Sequence, residues 1–234
     1  MDVALESLLD RADELLKDLE KEYEKCLHSK EVSERAKNIT HEVLEKLRNV
    51  LDQTMWKAWD KYIAPNISSL ERGRARVYFP IAGDLHSFRS TFGRGYMQSI
   101  EQHNKELYDF LLKRQPFYSR ENQWLDFLAT IAAKKHVGLA PQKRSESRRT
   151  KVSRNGVGSV SWDQSVVTYA TGVSILGAPI NPKTQRIIPT HGVTEQVEIW
   201  VYFTFEGYDV NANGFCKEAC EKTRKLIEDM VKLI

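Results

Sequence analysis

The sequence predicts an α+β fold in which helices come first, an antiparallel β-sheet follows, and one helix closes the chain. Three observations lead to this prediction. Apolar residues recur at three- and four-residue spacing over the first 60 residues, alternate with polar residues over 193–207, and return to helical spacing after residue 213. Helices and strands that are segregated along the chain in this way favour α+β over a wound parallel sheet.

Two long amphipathic helices are predicted in the first 62 residues. The apolar stripe of the first helix consists of Leu5, Leu8, Leu9, Ala12, Leu15, Leu16, Leu19, Tyr23 and Cys26. The stripe of the second helix consists of Ala36, Ile39, Val43, Leu47, Val50, Leu51, Met55, Ala58, Trp59 and Tyr62. Ser33 can cap the second helix and Pro65 ends it. The short join between the two helices predicts an antiparallel hairpin.

The next 75 or so residues are predicted to hold a loop and two shorter helices. Glycine and proline punctuate residues 65–95, which indicates a long loop with one extended piece at 75–81 and a helical turn at 85–90. Helical spacing resumes at 96–113 and again from Trp124 to about Lys135.

A basic segment follows Pro141, and strands follow the basic segment. The segment has no apolar periodicity, so a mobile linker or an edge strand is predicted for it. Its basic residues are Lys143, Arg144, Arg148, Arg149, Lys151 and Arg154. Strands are predicted at 158–162, 165–176 and 193–207, with a turn at 181–184 inside a hairpin.

The run 193–207 carries the clearest strand pattern. Its alternation of apolar and polar residues predicts that one face lies in the core. The residues expected on that face are Val197, Ile199, Val201, Phe203 and Phe205. A final helix is predicted after Asn213. The organisation is therefore a helical bundle at 1–140, a basic segment at 141–156, and a sheet with its closing helix at 157–234, unless these parts form one continuous domain.

The formal charge of +3 conceals a basic middle of the chain. Residues 1–60 carry 10 basic and 15 acidic side chains, residues 61–154 carry 18 and 8, and residues 155–234 carry 7 and 9. A basic block of this size can attract polyanions, and it can equally face the acidic N-terminal helix of the same chain. Both interpretations stay open on the sequence alone.

The compartment is predicted to be cytoplasmic, without a membrane span. No window holds 18 consecutive apolar residues, and the N-terminus is acidic and amphipathic where a signal peptide would be basic and then apolar. The three cysteines, Cys26, Cys216 and Cys220, are too few and too odd in number for a secreted disulfide framework. We therefore expect reduced thiols.

No metal site and no cofactor are predicted. The six histidines contain no pair three or four residues apart, and the sequence has no CxxC motif. Cys216 and Cys220 lie one helical turn apart, but two thiols without further ligands make a poor zinc site. The stretch 155–158 lacks the lysine of a phosphate-binding loop and precedes a strand, so it is predicted to be a turn.

Two stretches have the spacing of a metal-independent ribonuclease motif. Arg35 precedes His41, and Arg186 precedes His191. This spacing resembles that of the HEPN superfamily of helical-bundle proteins, in which a polar residue also follows the arginine. Ala36 departs from that pattern, Arg35 and His41 project about 120° apart on a helix, and the second stretch falls in a predicted hairpin. A HEPN-like endoribonuclease or toxin is therefore kept as an alternative function.

A second resemblance is spread over the first 140 residues. The chain contains, in order, Leu47-Arg48-Asn49-Val50-Leu51-Asp52, Trp56, Phe79-Pro80-Ile81, Gln115-Pro116-Phe117, Trp124-Leu125 with Leu128, and Lys135-His136 with Leu139. The order resembles a group of uncharacterised bacterial and prophage proteins with the pattern LRSALDHLAW, FPI, QPY and DKHR. Glu45 stands where that group carries histidine. Lys134 and Val137 stand where it carries aspartate and arginine.

The resemblance directs attention to Arg48, Asp52 and His136. Arg48 and Asp52 are four residues apart on one helix face, and a buried arginine needs a carboxylate partner. If the helix that runs towards His136 packs beside them, the three residues form one polar cluster. Such a cluster can be structural, orienting the bundle, or it can be a catalytic or nucleotide-binding site.

Three functions are carried forward from the sequence. The first is an accessory factor that binds nucleic acid or a protein partner through the basic residues of 143–154. The second is the HEPN-like endoribonuclease or toxin, with Arg48, Asp52 and His136 as candidate catalytic residues. The third is a structural homodimer through the N-terminal helical hairpin, whose apolar stripe suits self-association.

Overall fold

A computed structural model describes residues 3–27, 29, 31–133, 140–163 and 165–234, and it has the predicted α+β class. The chain divides into two compact units. Unit 1 comprises Met1–Gln142 and Phe205–Ile234, and unit 2 comprises Lys143–Thr204. These limits differ from the sequence-based division, because the C-terminal helix belongs to the same unit as the N-terminal helices.

The helices of unit 1 have the following bounds. They are α1 Val3–Cys26, α2 Glu34–Tyr62, α3 Ser69–Arg74, α4 Leu85–Arg94, α5 Ile100–His103, α6 Lys105–Lys113, α7 Gln123–Ala132 and α8 Ala212–Val231. Single 3₁₀ turns lie at Ala64–Asn66, Met97–Ser99 and Arg120–Asn122. None of these helices, over the residues that are described, is both long and apolar enough to cross a membrane.

The core of unit 1 lies between α1, α2 and α8, which pack against one another. The side chain of Ser33 accepts a hydrogen bond from the backbone of Ala36 and caps α2 as predicted. The predicted stripe of α1 is buried except at Leu8 and Leu16, and the predicted stripe of α2 is buried except at Tyr62. The apolar surface that suggested dimerisation through this hairpin is therefore used within unit 1.

The predicted helix at 96–113 is interrupted. A 3₁₀ turn and α5 occupy its first part, and Asn104 then breaks the helix. The side chain of Asn104 accepts a hydrogen bond from the backbone of Leu107 and so starts α6. The turn predicted near residue 85 is the longer helix α4, and residues 75–82 contain neither helix nor strand.

The strands of unit 2 form two three-stranded arrangements. They are β1 Gln142–Arg154, β2 Gly158–Asp163, β3 Ser174–Ile175, β4 Ala178–Asn181, β5 Arg186–Ile187 and β6 Val193–Phe205. The sheet orders are β2-β1-β6 and β3-β4-β5. The basic segment is therefore the middle strand of a sheet and not a linker or an edge strand. Within the strand predicted over 165–176, the structure has a strand at Ser174–Ile175, which is β3.

The two faces of the larger sheet have different surroundings. Thr150 lies opposite Trp162 and Val152 opposite Val160 in the antiparallel pairing of β1 with β2. Val152 and Trp162 form a small core with residues of β3, β4 and β5, which gives these short strands their hydrophobic support. The opposite face carries Lys151 and the other odd-numbered residues of β1.

The prediction that one face of β6 lies in the core is only partly confirmed. Phe203 and Phe205 are buried, but Val197 is 44% exposed and Ile199 is 56% exposed. The small core of unit 2 reaches Val193 at the start of β6, and the middle of the strand is left uncovered. Alternation correctly predicted a strand, but it could not predict how far the covering layer extends.

Candidate functional site

A pocket of about 470 Å³ in unit 1 contains two of the three predicted catalytic residues. Four of its lining residues, Glu45, Arg48, Asn49 and Asp52, lie on one face of α2 because they are spaced by three and four. The remaining lining residues come from 78–81, α4 and the end of α7, and are Tyr78, Phe79, Ile81, Thr91, Arg94, Ala129, Ala132 and Ala133.

Arg48 and Asp52 are paired, and both bind the backbone of Phe79. Arg48 Nη2 lies 3.1 Å from Asp52 Oδ1, and Arg48 Nε donates to Asp52 Oδ2 at 3.3 Å. Arg48 Nη2 also donates to the carbonyl oxygen of Phe79 at 3.0 Å. Asp52 Oδ1 accepts from the backbone N–H of Phe79 at 2.8 Å. The pair thus satisfies both backbone polar groups of one residue outside regular secondary structure.

The side chain of Gln115 likewise forms hydrogen bonds with the backbone of the residues after Phe79. Its side-chain oxygen accepts from the backbone of Ala82 at 3.0 Å, and its Nε2 donates to the carbonyl oxygen of Pro80 at 3.0 Å. The same Nε2 donates to the carbonyl oxygen of Leu111 at 2.8 Å. Gln115 is completely buried, so these hydrogen bonds have no competition from water.

We call the side chains of Arg48, Asp52 and Gln115 the backbone clamp. Residues 79–82 have no neighbouring strand among the described residues, and the clamp supplies the hydrogen bonds that a strand would supply. Burial raises the pKa of Asp52 above its ordinary value, and this effect outweighs the opposing influence of Arg48 and the Phe79 N–H. The positions of Arg48 and Asp52 therefore have a structural explanation.

The third predicted catalytic residue, His136, lies outside the described residues, as do Lys134 and Lys135. The described end of α7 lies on the wall of the same pocket as Arg48, through Ala129, Ala132 and Ala133. The predicted approach of this helix to α2 is therefore present up to Ala133. A catalytic role for Arg48, Asp52 and His136 stays a prediction.

The residues of the two ribonuclease-like spacings have different surroundings. Arg35 is exposed and lies 3.8 Å from Glu22, whereas His41 is buried in α2 with an Nδ1 that has no partner among the described residues. Arg186 lies in β5 and pairs with Glu195 at 3.1 Å, and it has no helical context. Among the described residues, no group of three or more His, Cys, Asp or Glu could hold a metal ion.

Most of the predicted nucleic-acid-binding residues of β1 have partners within unit 2. Arg144 pairs with Glu146 and its side chain is only 14% exposed. Arg154 donates to the carbonyl oxygen of Leu176 at 2.9 Å, in a space that a side chain at Gly177 would fill. Lys143 and Arg148 are exposed at the surface.

Arg149 and Lys151 lie on the open face of the sheet together with an aromatic residue of β6. The guanidinium carbon of Arg149 lies 4.2 Å from the ring centroid of Trp200, and Lys151 lies 3.6 Å from Glu198. Trp200 is 50% exposed, and its ring nitrogen donates to Glu198 at 3.2 Å. We call the face formed by Arg149, Lys151 and Trp200 the sheet platform.

One carboxylate stands beside the sheet platform on β2. Asp163 lies opposite Arg149 in the strand pairing and accepts hydrogen bonds from Ser147 and Ser165. These hydrogen bonds lower the pKa of Asp163 to about 2, so it is ionised at neutral pH. Together with Glu198 it offsets the two positive charges of Arg149 and Lys151. The formal charges of these four side chains sum to zero, so the platform is an aromatic surface without a net charge.

Comparison with known proteins adds no assignment. No protein-family model matches the chain, and neither a curated protein nor a solved structure does so. The resemblances drawn from the sequence therefore remain predictions, and the geometry of the chain itself carries the functional argument.

Sequence reasoning overlooked Gln115 and Trp200 as individual residues. Gln115 was noted only as part of the stretch before Pro116, although a glutamine next to a proline can bond backbone groups that lack a regular partner. Trp200 alternates with the predicted core residues of 193–207 and so falls on the outward face of that strand. A tryptophan on the outer face of a half-buried strand is unusual, and that was a usable signal for a binding surface.

Proposed function

We propose that this protein is an accessory factor that binds single-stranded nucleic acid on the sheet platform of unit 2. The observation that carries the proposal is the Arg149 side chain over the half-exposed ring of Trp200. Unpaired bases stack on aromatic rings and on guanidinium planes, and one phosphate can then pair with a neighbouring cation such as Lys151.

Stacking is expected to contribute more than charge at this site. Asp163 and Glu198 neutralise much of the local positive field, so few counterions are released when a strand binds. We expect affinity to fall only about tenfold to a hundredfold between low and physiological salt. Single strands are preferred over duplexes, because the bases of a duplex are already stacked on one another.

The test is fluorescence anisotropy of a labelled single-stranded RNA and of the matching duplex. Trp200→Ala leaves the charge unchanged and should weaken single-strand binding about tenfold or more, since stacking of one base contributes about 1–3 kcal/mol. Arg149→Gln should weaken it several-fold and flatten the salt dependence.

The matched control is Arg154→Gln, which removes the same charge from the same strand. Arg154 is held against Leu176 and has the opposite parity to Arg149, so this variant should bind like the wild type. If the Arg149 and Arg154 variants lost the same amount of affinity for single-stranded RNA, binding would be explained by net charge and not by the sheet platform. Absence of any binding by the wild type at low salt would remove the proposal.

A further inference from the structure

The outer edge of β6 is a long strand edge without a neighbouring strand among the described residues. In the order β2-β1-β6 only β1 pairs with it. Over 194–202, and within the described part of the chain, its backbone forms no hydrogen bond beyond strand pairing. Alternate residues of an edge strand direct their N–H and C=O groups outward, so this edge offers a row of donors and acceptors.

The middle of this edge is apolar and carries little free charge. Val197, Ile199 and Trp200 are each between 44% and 56% exposed. The two carboxylates of the strand, Glu195 and Glu198, are paired with Arg186 and Lys151. Exposed charges normally prevent strand edges from pairing, and here they are largely neutralised from within unit 2.

The opposite edge of the same sheet lacks these properties. β2 has only six residues against thirteen in β6, and most of them are glycine, serine or aspartate. Its exposed apolar residue within the strand is Val160, at 42%. Short polar edges of this kind are protected from pairing, so β6 is the edge at which association is expected.

We propose that a second copy of this chain pairs with β6, antiparallel to it, about a two-fold axis that passes through Ile199. In this register Ile199 lies opposite the partner subunit's Ile199, and Val197 lies opposite the partner subunit's Val201. Glu198 lies opposite the partner subunit's Trp200. Apolar pairs therefore form at the centre, and no carboxylate faces another carboxylate.

The register follows from symmetry and charge. A two-fold axis that relates antiparallel strands stands perpendicular to the sheet, so each residue lies opposite one from the same face. The neighbouring register, centred on Glu198, would place two carboxylates directly opposite each other, which is destabilising. Centring on Ile199 avoids this and pairs the most exposed apolar residues of the strand.

A dimer of this kind is a six-stranded sheet in which both copies of the sheet platform lie on the same face. Two sites on one surface would bind a nucleic acid strand by avidity, a consequence that rests on the proposed function. The dimer itself does not depend on it. Because the contact consists mainly of one strand pair, we expect a dissociation constant in the micromolar range, about 1–100 μM.

The test uses Ile199→Cys in the full chain without nucleic acid. The three natural cysteines are buried and give a low background. Opposed positions in an antiparallel pair have Cβ atoms about 5 Å apart, close enough for an engineered disulfide to form with small adjustment. We expect oxidation to yield a covalent dimer on non-reducing gels, with a yield that falls on dilution.

Val160→Cys is the matched control, because it has similar exposure on the opposite edge of the same sheet. It should cross-link at least tenfold more slowly. Ile199→Lys should raise the dissociation constant measured by sedimentation about a hundredfold, whereas Val160→Lys should leave it unchanged. Equal cross-linking at 160 and 199, or a wild type that sediments as a monomer at 200 μM, about twice the upper limit expected for this contact, would overturn the proposal.

Discussion

Two extended segments of this chain obtain their backbone hydrogen bonds in different ways. Residues 79–82 of unit 1 are bound by the side chains of Arg48, Asp52 and Gln115. Strand β1 of unit 2 is bound by the backbones of its neighbours. A side-chain clamp works only with particular residues, whereas a strand pairing accepts almost any residue that has an N–H group.

The stretches of the predicted resemblance can be compared with this difference. Three of the stretches that carry the resemblance, 47–52, 79–81 and 115–117, meet in the backbone clamp. The hydrogen bonds of strand β1 do not depend on its side chains. Its side chains are thereby available for ion pairs and for the sheet platform.

Among the substitutions that test this difference, we expect Lys151→Pro to lower the free energy of unfolding most. Proline removes an N–H from the middle strand of the sheet, where both neighbours require regular pairing. We expect a loss of about 3 kcal/mol or more in the free energy of unfolding, measured by urea titration. A loss below about 1 kcal/mol would show that β1 does not depend on its backbone pairing.

The next largest effect is expected for Gln115→Leu. The substitution leaves the N–H of Ala82 and the carbonyls of Pro80 and Leu111 buried without their partner. A loss of about 3 kcal/mol is expected from urea titration. Gln123→Leu is the control, because the side chain of this exposed glutamine donates to the carbonyl oxygen of Pro116 at the surface, and the loss of that bond should cost less than about 1 kcal/mol.

A smaller effect with a defined pH dependence is expected for Asp52→Asn. The amide oxygen can still accept from the Phe79 N–H, but an NH2 group replaces Oδ2, the acceptor of Arg48 Nε, at a cost of about 1–2 kcal/mol. Because burial raises the pKa of Asp52 above the ordinary 3.8, the folded chain holds a proton that the unfolded chain has released at pH values between the unfolded and the folded pKa. This contribution is present at low pH and is lost as the pH rises through the folded pKa.

The difference in unfolding free energy between the wild type and Asp52→Asn should therefore narrow as the pH rises from below 3.8 through the folded pKa of Asp52. Asp84 provides the opposite case. Hydrogen bonds from Ser87 lower the pKa of Asp84, so the gap for Asp84→Asn should widen as the pH rises through the acid range. Thermal melts over the acid pH range measure both stability differences. If the two differences changed in the same direction with pH, the opposite pKa shifts of Asp52 and Asp84 would be contradicted.

The smallest effect is expected for Lys151→Thr. The change keeps the N–H of the middle strand and removes only a half-exposed ion pair with Glu198. A change within about 0.5 kcal/mol is expected by urea titration. Together with Lys151→Pro it separates backbone from side chain at one position of β1.

Much of the fold could be predicted from the sequence because it is encoded by periodicity. The stripes of α1 and α2, the cap at Ser33 and the final helix each follow from local patterns of apolar spacing. The Arg48 and Asp52 pair could be expected for the same reason, since their spacing places them on one helix face.

The remaining features depend on contacts that no local pattern contains. Only Gln142, Thr150 and Val152 of β1 are buried, so the strand shows no alternation although it lies in the middle of the sheet. The exposure of Val197 and Ile199 depends on how far the small core of unit 2 extends. The clamp joins residues that are 27 to 35 positions apart, and such distances leave no periodic trace.

These separations have a consequence for how the protein folds. Each contact between the clamp and residues 79–82 closes a loop of about 30 residues, and the entropy of that closure must be lost before the hydrogen bonds form. The clamp also needs α2 in place, because Arg48 and Asp52 lie on that helix. We therefore expect the clamp to form late in folding, so that weakening it accelerates unfolding and leaves the rate of refolding nearly unchanged.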